Sequence, residues 1–343
     1  MPKSQPFKII QIGFGSLGRH ISSSILKREN LELVSVVDAN PELTGKFLRE
    51  LVEGKIDTDV QITNDLDTIL DSIKADVAIV ATSSSLEIVV PTIENCLSYG
   101  LDVISICEEL SYPYQKKLDL ATSLNSVAEQ NGKTVLGTGI NPGYLMDLLP
   151  IVLSAPCQSV ESIRVTRHMN SSHRRPSFQK KIGTGMSETE FRQNIDEGRI
   201  TGHVGLTESI QMVDAALNLE LDTVEELPPE AIIAEKEVTN SFATIKKGDV
   251  LGLRSIGVGK RDGKEIIVLD FQAYAEAAPQ YDEVIVEGIP RIHQRIEGGV
   301  QGDQGTIGMI LNLIPIVVKE SPGLKTMKDI PVPRNTMRFW KEE

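Results

Sequence analysis

The sequence predicts an α/β protein, with an N-terminal domain built on a doubly wound parallel sheet and an α+β C-terminal domain with a mainly antiparallel sheet. Three observations in the 343 residues support this fold class. Apolar strands alternate with helix-length periodic segments up to residue 136, a glycine-rich turn joins the first strand to the first helix, and helix segments followed by a run of strands begin at residue 141. We predict a first domain over 1–140, a second over 141–304, and a C-terminal helix and tail over 305–343 that pack back towards the first domain.

The glycine-rich turn lies between two apolar strands. A strand over 9–12 leads into it, a helix follows, and a second strand over 33–37 ends in an acid about 20 residues after the last glycine. This order is the fingerprint of a Rossmann dinucleotide site. The glycines allow a sharp turn and a close approach of backbone to a pyrophosphate, which the helix N-terminus attracts. The cofactor-binding residues predicted here are Gly13, Phe14, Gly15, Ser16, Leu17, Gly18 and Asp38.

Asp38 indicates which nucleotide the site prefers. A carboxylate at this position accepts hydrogen bonds from the ribose hydroxyls, and the next residues, Ala39 and Asn40, offer no arginine to receive a 2′-phosphate. The sequence therefore favours NAD as the cofactor.

The rest of the first domain continues the alternation of strands and helices. We predict helices over 41–51, 66–73, 86–99 and 114–130, and strands over 60–63, 76–81, 102–106 and 134–136. Parallel strands bring their carboxyl ends to one edge of the sheet, where cofactors bind. The polar loop Thr82, Ser83 and Ser84 is therefore predicted to contact the nicotinamide half of the cofactor, and a helix N-cap in this loop is compatible with that role.

Cys107, Glu108 and Glu109 follow the strand 102–106 at the same edge. Desolvation beside a cofactor raises the pKa of a carboxyl group, which suits general acid–base catalysis. Neighbours on an extended chain point in opposite directions, so only one of the two carboxylates faces the cofactor. The alternative is that both glutamates cap the helix that follows Pro113. Cys107 has no histidine close in sequence, so an inert buried thiol is favoured over a nucleophile.

The order of the predicted elements changes from residue 141, where strands no longer alternate with helices. We predict helices over 144–153, 207–217 and 305–319, strands over 160–168, 231–238, 250–258, 264–275 and 281–288, and an extended tail over 322–333. Residues 176–185 form a basic, glycine-containing loop before a capping box at Ser187 and Glu190. Of His168, His173 and His203, the last is the one expected to line a cleft, although a structural role is favoured for each taken singly.

Composition excludes several classes of protein. A net charge of −13 repels phosphate backbones, so no nucleic-acid partner is predicted. No apolar run reaches the ~18 residues that span a bilayer, and the start of the chain does not resemble a signal peptide. Cys96, Cys107 and Cys157 show neither paired nor metal-type spacing. We expect reduced thiols, a cytoplasmic protein, no membrane association and no bound metal.

Several segments resemble the 2,4-diaminopentanoate dehydrogenases and the related native amine dehydrogenases, in the same order along nearly the whole chain. The specific segments are 107–109 and 137–143, Gly-Thr-Gly-Ile-Asn-Pro-Gly; the segments 144–149, 183–191, 202–209 and 314–334 agree. The resemblance implies the two-domain fold of dihydrodipicolinate reductase and the use of NAD, with NADP also accepted. It implies reversible oxidation of an amine to an imine, which water hydrolyses to a carbonyl compound and ammonia.

The same resemblance implies roles for particular residues. It makes Glu108 the catalytic residue, which takes a proton from the ammonium group, stabilises the iminium and deprotonates water. Asn141 and Pro142 are predicted to contact the cofactor, and the predicted substrate pocket comprises Glu109, Gly143, Tyr144, His168 and His203. The chain lacks the His-His pair of the dihydrodipicolinate reductases proper, which argues against that activity.

Three functions stay open at this point. The first is an NAD(P)-dependent oxidoreductase acting on a small amine without an α-carboxylate, and the second is a 2,4-diaminopentanoate dehydrogenase or another imine or carbonyl reductase. The third is a nucleotide-sensing regulator without turnover. A diamino-acid enzyme needs a cationic anchor for the carboxylate; Arg167, Arg174, Arg175, Lys180 and Lys181 offer one, or form a solvated loop. The sheet of the second domain needs its outer face covered, which predicts a homodimer and makes this the substrate and dimerisation domain.

Overall fold

The computed structural model describes residues 5–52 and 58–335. The chain divides into two compact units, one formed by Met1–Tyr144 together with Gly302–Glu343 and the other by Leu145–Gln301. The second unit is therefore an insertion between two stretches of chain that build the first.

The first unit is a doubly wound parallel sheet. Its strands are β1 (Phe7–Ile12), β2 (Leu31–Val37), β3 (Ile62–Thr63), β4 (Val77–Val80), β5 (Asp102–Ser105), β6 (Thr134–Gly137) and, from the C-terminal stretch, β16 (Gly323–Lys325). They are ordered β16-β6-β5-β4-β1-β2-β3, and every pair is parallel. The chain order reverses between β1 and β4, which is where ligands bind in such sheets.

Helices cover both faces of this sheet. They are α1 (Ser16–Leu26), α2 (Leu66–Ser72), α3 (Leu86–Ser98), α4 (Leu118–Gln130) and α9 (Gly302–Val317). Apolar residues of α2, α3 and α4 form one buried cluster with alternate residues of β1, β4, β5 and β6, including Ile10, Val80 and Val103. Strands β4 and β5 are buried along their whole length, and β4 is the continuous apolar run typical of a central parallel sheet, whereas β5 has a buried polar residue at each end. The predicted fold class is confirmed for this part of the chain.

Two predictions in the first unit are wrong. Residues 41–51 form turns and a 3-10 helix at Leu48–Glu50 instead of an α-helix, and Gly45 with φ +81° interrupts them. The helix predicted from residue 114 begins at Leu118, because 111–117 form turns. The tail predicted as extended chain also supplies a strand that was not predicted, β16, whose residues pair with Thr134–Leu136 at the edge of the sheet.

The second unit is a mixed, mainly antiparallel sheet with helices. Its strands are β7 (Ser159–Asn170), β8 (Thr223–Glu226), β9 (Glu230–Ile233), β10 (Val238–Thr239), β11 (Thr244–Ile245), β12 (Val250–Arg261), β13 (Lys264–Tyr274), β14 (Tyr281–Ile289) and β15 (Ile292–Glu297); its helices are α5 (Leu148–Ser154), α6 (Pro176–Lys181), α7 (Glu188–Asp196) and α8 (Leu206–Leu217). The main sheet is ordered β15-β14-β7-β13-β12-β8, with β9 also on β12. Only β13 and β7 pair in parallel among these described strands.

Three predictions in this unit need correction. The stretch expected to be a basic loop contains α6, which begins at Pro176 in the first-turn position that proline favours. The helix expected from residue 144 begins at Leu148, where the Asp147 side chain accepts a hydrogen bond from the Leu148 amide. The capping box is confirmed, since Ser187 Oγ accepts a hydrogen bond from the Glu190 amide at 3.2 Å. The strand predicted over 231–238 is divided into β9, which ends at Ile233, and β10, which begins at Val238. Strands β8, β11 and β15 were not predicted.

Candidate active site

The glycine loop after β1 has the geometry that a dinucleotide requires. Gly13 has φ +91°, and a side chain there would meet the carbonyl oxygen of Ala81 at 2.5 Å. A side chain at Gly18 would collide with the Gly13 carbonyl group, so helix and loop touch directly. A side chain at Gly15, in contrast, would have no described atom within 4 Å. The first and third glycines are thus required by packing, whereas the second leaves open space beside the start of α1, where backbone can approach a phosphate.

Asp38 connects the end of β2 to this loop. Its Oδ2 accepts a hydrogen bond from the Phe14 amide at 2.5 Å, and its Oδ1 accepts one from the Asn40 amide at 2.8 Å. Each carboxylate oxygen can accept more than one hydrogen bond, so ribose hydroxyls can still bind. Arg19 donates from Nε to the Phe14 carbonyl at 3.3 Å, with its guanidinium 5.1 Å from the Phe14 ring centre.

A buried glutamine supports the loop from below. Gln11, on β1, is fully buried and donates from Nε2 to the carbonyl of Gly13 at 3.0 Å. Sequence analysis did not identify it; the signal was a lone polar residue within an apolar strand.

The ends of β4 and β5 are tied together by hydrogen bonds. Ser105 Oγ donates to the Val80 carbonyl at 3.1 Å and accepts from the Cys107 amide at 3.1 Å. The Ser84 carbonyl accepts from the Glu109 amide at 3.4 Å and from Cys107 Sγ at 3.1 Å. The loop that contains Thr82, Ser83 and Ser84 is therefore bonded to the turn 107–109 through the Ser84 carbonyl. Ser105 is a second residue that sequence analysis missed.

Glu108 and Glu109 differ in what their carboxylates contact. Both are partly exposed and begin the 3-10 helix Glu108–Leu110. Glu109 Oε2 accepts a hydrogen bond from the Leu86 amide, the first of α3, at 2.8 Å. Glu108 uses its backbone carbonyl to accept from Ser111 Oγ at 2.7 Å, and its carboxylate has no hydrogen-bond or ion-pair partner among residues 5–52 and 58–335. The alternative that both glutamates cap the helix after Pro113 is wrong: Glu109 caps α3.

Cys107 is an inert thiol in this structure. It is 1 % exposed, and burial raises the pKa of its thiol to about 12, with the nearby charges of Glu108 and Glu109 adding to the shift. A thiol with this pKa is not ionised at neutral pH and is not a nucleophile.

The segment 139–143 ends β6 with a tight turn at the same edge of the sheet. The Asn141–Pro142 peptide is cis, and Gly143 has φ +128° and packs against Gly139. The Ile140 amide donates to Thr306 Oγ1 of α9 at 3.1 Å. The structure thus places Asn141, Pro142, Gly143 and the partly exposed Tyr144 beyond the carboxyl end of β6, next to the strand that carries Glu108.

The predicted histidines lie in the second unit. His168 is buried; its Nδ1 donates to the Pro279 carbonyl at 2.6 Å and its Nε2 is 2.7 Å from the Tyr274 hydroxyl. His203 stacks on Phe271 with ring centres 4.2 Å apart, and its amide donates to Ser255 Oγ at 3.1 Å. Burial lowers the pKa of the His203 imidazole to about 3, and the charges of Arg167 and Lys181 contribute to this shift. His203 is therefore neutral at physiological pH.

Four buried side chains form a row across the second sheet. Asp282, Arg167, Phe271 and Ser255 are cross-strand neighbours on β14, β7, β13 and β12. Arg167 Nε lies 3.5 Å from Asp282 Oδ1, and Arg167 Nη2 donates to the Val300 carbonyl at 2.6 Å. Desolvation lowers the pKa of the Arg167 guanidinium and raises the pKa of Asp282, while each partner's charge opposes the shift of the other. Arg167 is thus a buried sheet residue; it does not belong to an exposed basic loop.

The other predicted basic residues lie around α6. The Arg174 guanidinium is 4.7 Å from the centre of the Phe178 ring, and Arg175 is the residue that precedes the helix. Lys180 and Lys181 are exposed in the last turn, where their charge complements the helix dipole. His173 is exposed just before the helix.

Within the described ranges 5–52 and 58–335, no three His, Cys, Asp or Glu residues are grouped so as to hold a metal ion. None of the helices described there is long and apolar enough to cross a membrane.

A sheet with this strand order, glycine loop and ribose-side acid, joined to an antiparallel-sheet unit, defines a two-domain dinucleotide-dependent oxidoreductase of the dihydrodipicolinate reductase type. Residues 7–107 match the model of the dihydrodipicolinate reductase N-terminus, and residues 144–342 match that of the 2,4-diaminopentanoate dehydrogenase C-terminal domain. The chain belongs to the 2,4-diaminopentanoate dehydrogenase family, which confirms the resemblance found in the sequence.

Individual relatives agree with this assignment. The chain is 33 % identical over 340 residues to 2,4-diaminopentanoate dehydrogenase from Acetoanaerobium sticklandii, covering 98 % of this chain and 96 % of that protein. It is 22 % identical to an amine dehydrogenase from Streptomyces virginiae, covering 93 % and 95 % of the two chains. The structure of an amine dehydrogenase from Mycobacterium smegmatis has the same fold, with a TM-score of 0.84 at 19 % identity and coverage of 96 % and 97 %.

Proposed function

We propose that this protein is an NAD(P)-dependent amine dehydrogenase that oxidises a small amine to an imine and releases the carbonyl compound and ammonia. In the reverse direction it carries out reductive amination. The observation that carries the proposal is Glu108: a carboxylate without a hydrogen-bond or ion-pair partner among the described residues, at the sheet edge where the glycine loop and Asp38 create a dinucleotide site. Family membership supplies the type of reaction.

The glycine loop fits a dinucleotide. Gly15 has open space beside the N-terminus of α1 for a pyrophosphate, and Asp38 is held at the end of β2 for the ribose hydroxyls. Thr82, Ser83, Ser84, Asn141 and Pro142 would hold the nicotinamide half. When bound, the cofactor accepts or donates a hydride. We infer a preference for NAD over NADP, because Asp38 would repel a 2′-phosphate.

Glu108 would move the protons of the reaction. Its carboxylate takes a proton from the substrate ammonium group, so that the nitrogen lone pair can assist departure of the hydride. The protonated Glu108 carboxyl group then passes this proton to solvent, to which its side chain is partly exposed. The regenerated carboxylate stabilises the iminium carbon–nitrogen unit and accepts a proton from the water that attacks it. Because the carboxylate is not engaged by described protein groups, it is available for each of these steps.

The identity of the amine is a separate question with two candidates. A small amine without an α-carboxylate is the first. The second is a 2,4-diamino acid, which is favoured by the 33 % identity to a protein named for that substrate. In a 2,4-diamino acid the carboxylate would need a cation, and Lys180 and Lys181 are exposed.

The test is NADH oxidation, followed by absorbance, with ammonia and a set of small ketones, and NAD reduction with simple amines and with 2,4-diaminopentanoate. Turnover of simple ketones with ammonia supports the first candidate, and turnover restricted to the diamino acid supports the second. Binding of NADH without turnover of any amine or ketone would contradict the proposal and favour a nucleotide-sensing regulator.

We also propose that the protein acts as a cytoplasmic homodimer. The sheet of the second unit has one face that carries half-buried polar and apolar side chains, among them Arg254, Ile256, Tyr281 and Ile285. Pairing of such faces across a twofold axis is a common way to cover a sheet. Sedimentation at micromolar concentration would contradict the dimer if it found only a species of the 37.6 kDa chain mass. Cell fractionation tests the location.

A further inference from the structure

We propose that Glu109 is a positioning residue for the reaction: its bond to α3 locks the 82–85 loop to the turn that carries Glu108. This inference rests on the proposed role of Glu108. Glu109, which was predicted to line the substrate pocket, acts in this inference through Glu108 and the 82–85 loop, by contacts within the first unit.

The start of α3 needs a hydrogen-bond acceptor from outside the helix. The first amides of a helix have no partner within the helix. Ser85 is the N-cap residue, yet its side chain makes no capping bond, and Leu86 is completely buried. Glu109 Oε2, 23 positions later in the chain, accepts from the Leu86 amide at 2.8 Å and supplies the missing partner. Its negative charge also suits the N-terminus of a helix.

Two further hydrogen bonds connect the ends of β4 and β5. The Glu109 amide donates to the Ser84 carbonyl at 3.4 Å, and Cys107 Sγ donates to the same oxygen at 3.1 Å. Glu108 lies between Cys107 and Glu109, so both of its chain neighbours are attached to the 82–85 loop. The residue proposed to move protons and the loop proposed to contact the nicotinamide are therefore parts of one bonded unit.

The adjacent residues Glu108 and Glu109 have different tasks. Glu109 provides the cap of α3, and the Glu108 carboxylate has no hydrogen bond to the described residues. The bond at Leu86 requires an acceptor oxygen of the right length, and the charge is not essential to it. A glutamine at position 109 retains such an oxygen, whereas an alanine does not. This difference separates positioning from proton transfer.

The experiment compares Glu109→Gln and Glu109→Ala in reductive amination, with Glu87→Ala as the matched control. Glu87 also places a carboxylate in the first turn of α3, but it pairs with Lys117 Nζ at 2.8 Å and does not contact the 82–85 loop. The measurements are kcat, KM for NADH, and the deuterium isotope effect on kcat with NADH labelled at the transferred hydrogen. Loss of folded enzyme lowers the apparent kcat only, whereas displacement of the loop also changes KM and the isotope effect.

We expect Glu109→Ala to lose roughly 10- to 100-fold in kcat/KM for NADH and to show a larger isotope effect, because small misplacements of reacting groups slow the chemical step strongly. Glu109→Gln should stay within about fivefold of the wild type, as expected when a charged acceptor becomes a neutral one. Glu87→Ala should match the wild type in all three measurements.

Three results would overturn the inference: wild-type kinetics for Glu109→Ala, equal impairment of Glu109→Gln and Glu109→Ala, or a lower kcat with unchanged KM and isotope effect. If Glu109→Ala does not fold, Glu109→Asn replaces it, since the shorter amide cannot reach Leu86. Failure of the proposed function is visible separately, as full activity of Glu108→Gln or absence of turnover by the wild type.

Discussion

The first unit carries two adjacent carboxylates at the end of β5, and the second unit carries an arginine–aspartate pair in the middle of its sheet. In the first unit, Glu109 is bonded to the Leu86 amide and Glu108 is left without a bonding partner among the described residues. In the second unit, Arg167 and Asp282 are 3 % and 4 % exposed, and the Val300 backbone bonds to both. Both regions contain charged side chains, but of these two pairs only the partly exposed one in the first unit leaves a carboxylate without a bond to the described residues.

The difference shows which charged residues are expected to affect activity and which are expected to affect stability. A buried ion pair is expensive to form, and removing one partner leaves the other uncompensated, so such a pair acts mainly on stability. A carboxylate without protein partners contributes little to stability and is ready to bond to a reacting molecule. Substitutions in the two regions should therefore separate activity from stability.

The largest expected effect is the loss of kcat in the Glu108→Gln variant. A positioned general base contributes about 10²- to 10⁴-fold, so kcat should fall by that order while the Kd for NADH and the melting temperature stay unchanged. Steady-state kinetics, NADH titration and thermal unfolding measure the three quantities. A large drop in the melting temperature of Glu108→Gln would contradict the expectation that this region affects activity and not stability.

Arg167→Met should have the opposite profile. The substitution keeps the volume but leaves Asp282 buried without its cation, so the free energy of unfolding should fall by about 3–5 kcal/mol in denaturant titrations. Arg167→Met combined with Asp282→Leu should recover part of this loss, because no unpaired charge is left in the sheet. If the single variant is as stable as the wild type, the pair has no architectural role.

Asp38→Ala tests an intermediate case, since this carboxylate is bonded to backbone amides and is also predicted to bind ribose. Hydrogen bonds to a charged group contribute roughly tenfold to a hundredfold in affinity, so binding of NADH should weaken by that factor and the preference for NAD should relax. Titrations with NADH and NADPH measure this. A wild type that strongly favours NADPH would refute the assignment of Asp38.

The smallest expected effect is a pH dependence caused by His203. The pKa of its imidazole is lowered from 6.5 to about 3 in the folded protein, so the unfolded state binds the extra proton first and stability falls as the pH drops from 6.5 towards 3. His203→Phe retains an aromatic ring on Phe271 but does not titrate. When the pH is lowered from 8 to 5, the free energy of unfolding of the wild type should therefore fall by about 1–2 kcal/mol more than that of this variant, as measured by denaturant titrations. An identical pH dependence in both proteins would show that His203 is not kept neutral.

Local patterns made the first unit predictable, and distant partners limited the rest. The glycine loop, α1, β2 and Asp38 lie within one short stretch whose spacing has a mechanical reason, and the structure has each of them at the predicted place. Strand β16 is three residues in a proline-rich tail, and only its pairing with residues near 135 makes it a strand. Pro176 was an available signal for α6 that the surrounding basic and glycine residues obscured.

The same limit applies to the candidate site. Glu108 was identified as the catalytic candidate from a resemblance, and its role stays a proposal. The partner of Glu109 could not be predicted, because Leu86 is 23 positions away and no sequence pattern links a carboxylate to one amide of an earlier helix. For the same reason the ion pair of Arg167 with Asp282 was missed, and Arg167 was grouped with the basic residues near it in sequence.

The position of β16 has a consequence for synthesis of the chain on the ribosome. Domains generally fold from the N-terminus as they emerge, yet the parallel sheet of the first unit cannot be completed until residues 323–325 have been made. While the whole of the second unit is being translated, β6 is an unpaired edge, and exposed strand edges are templates for pairing with other chains. Nascent or truncated chains that end before Gly323 are therefore the species of this protein most exposed to aggregation.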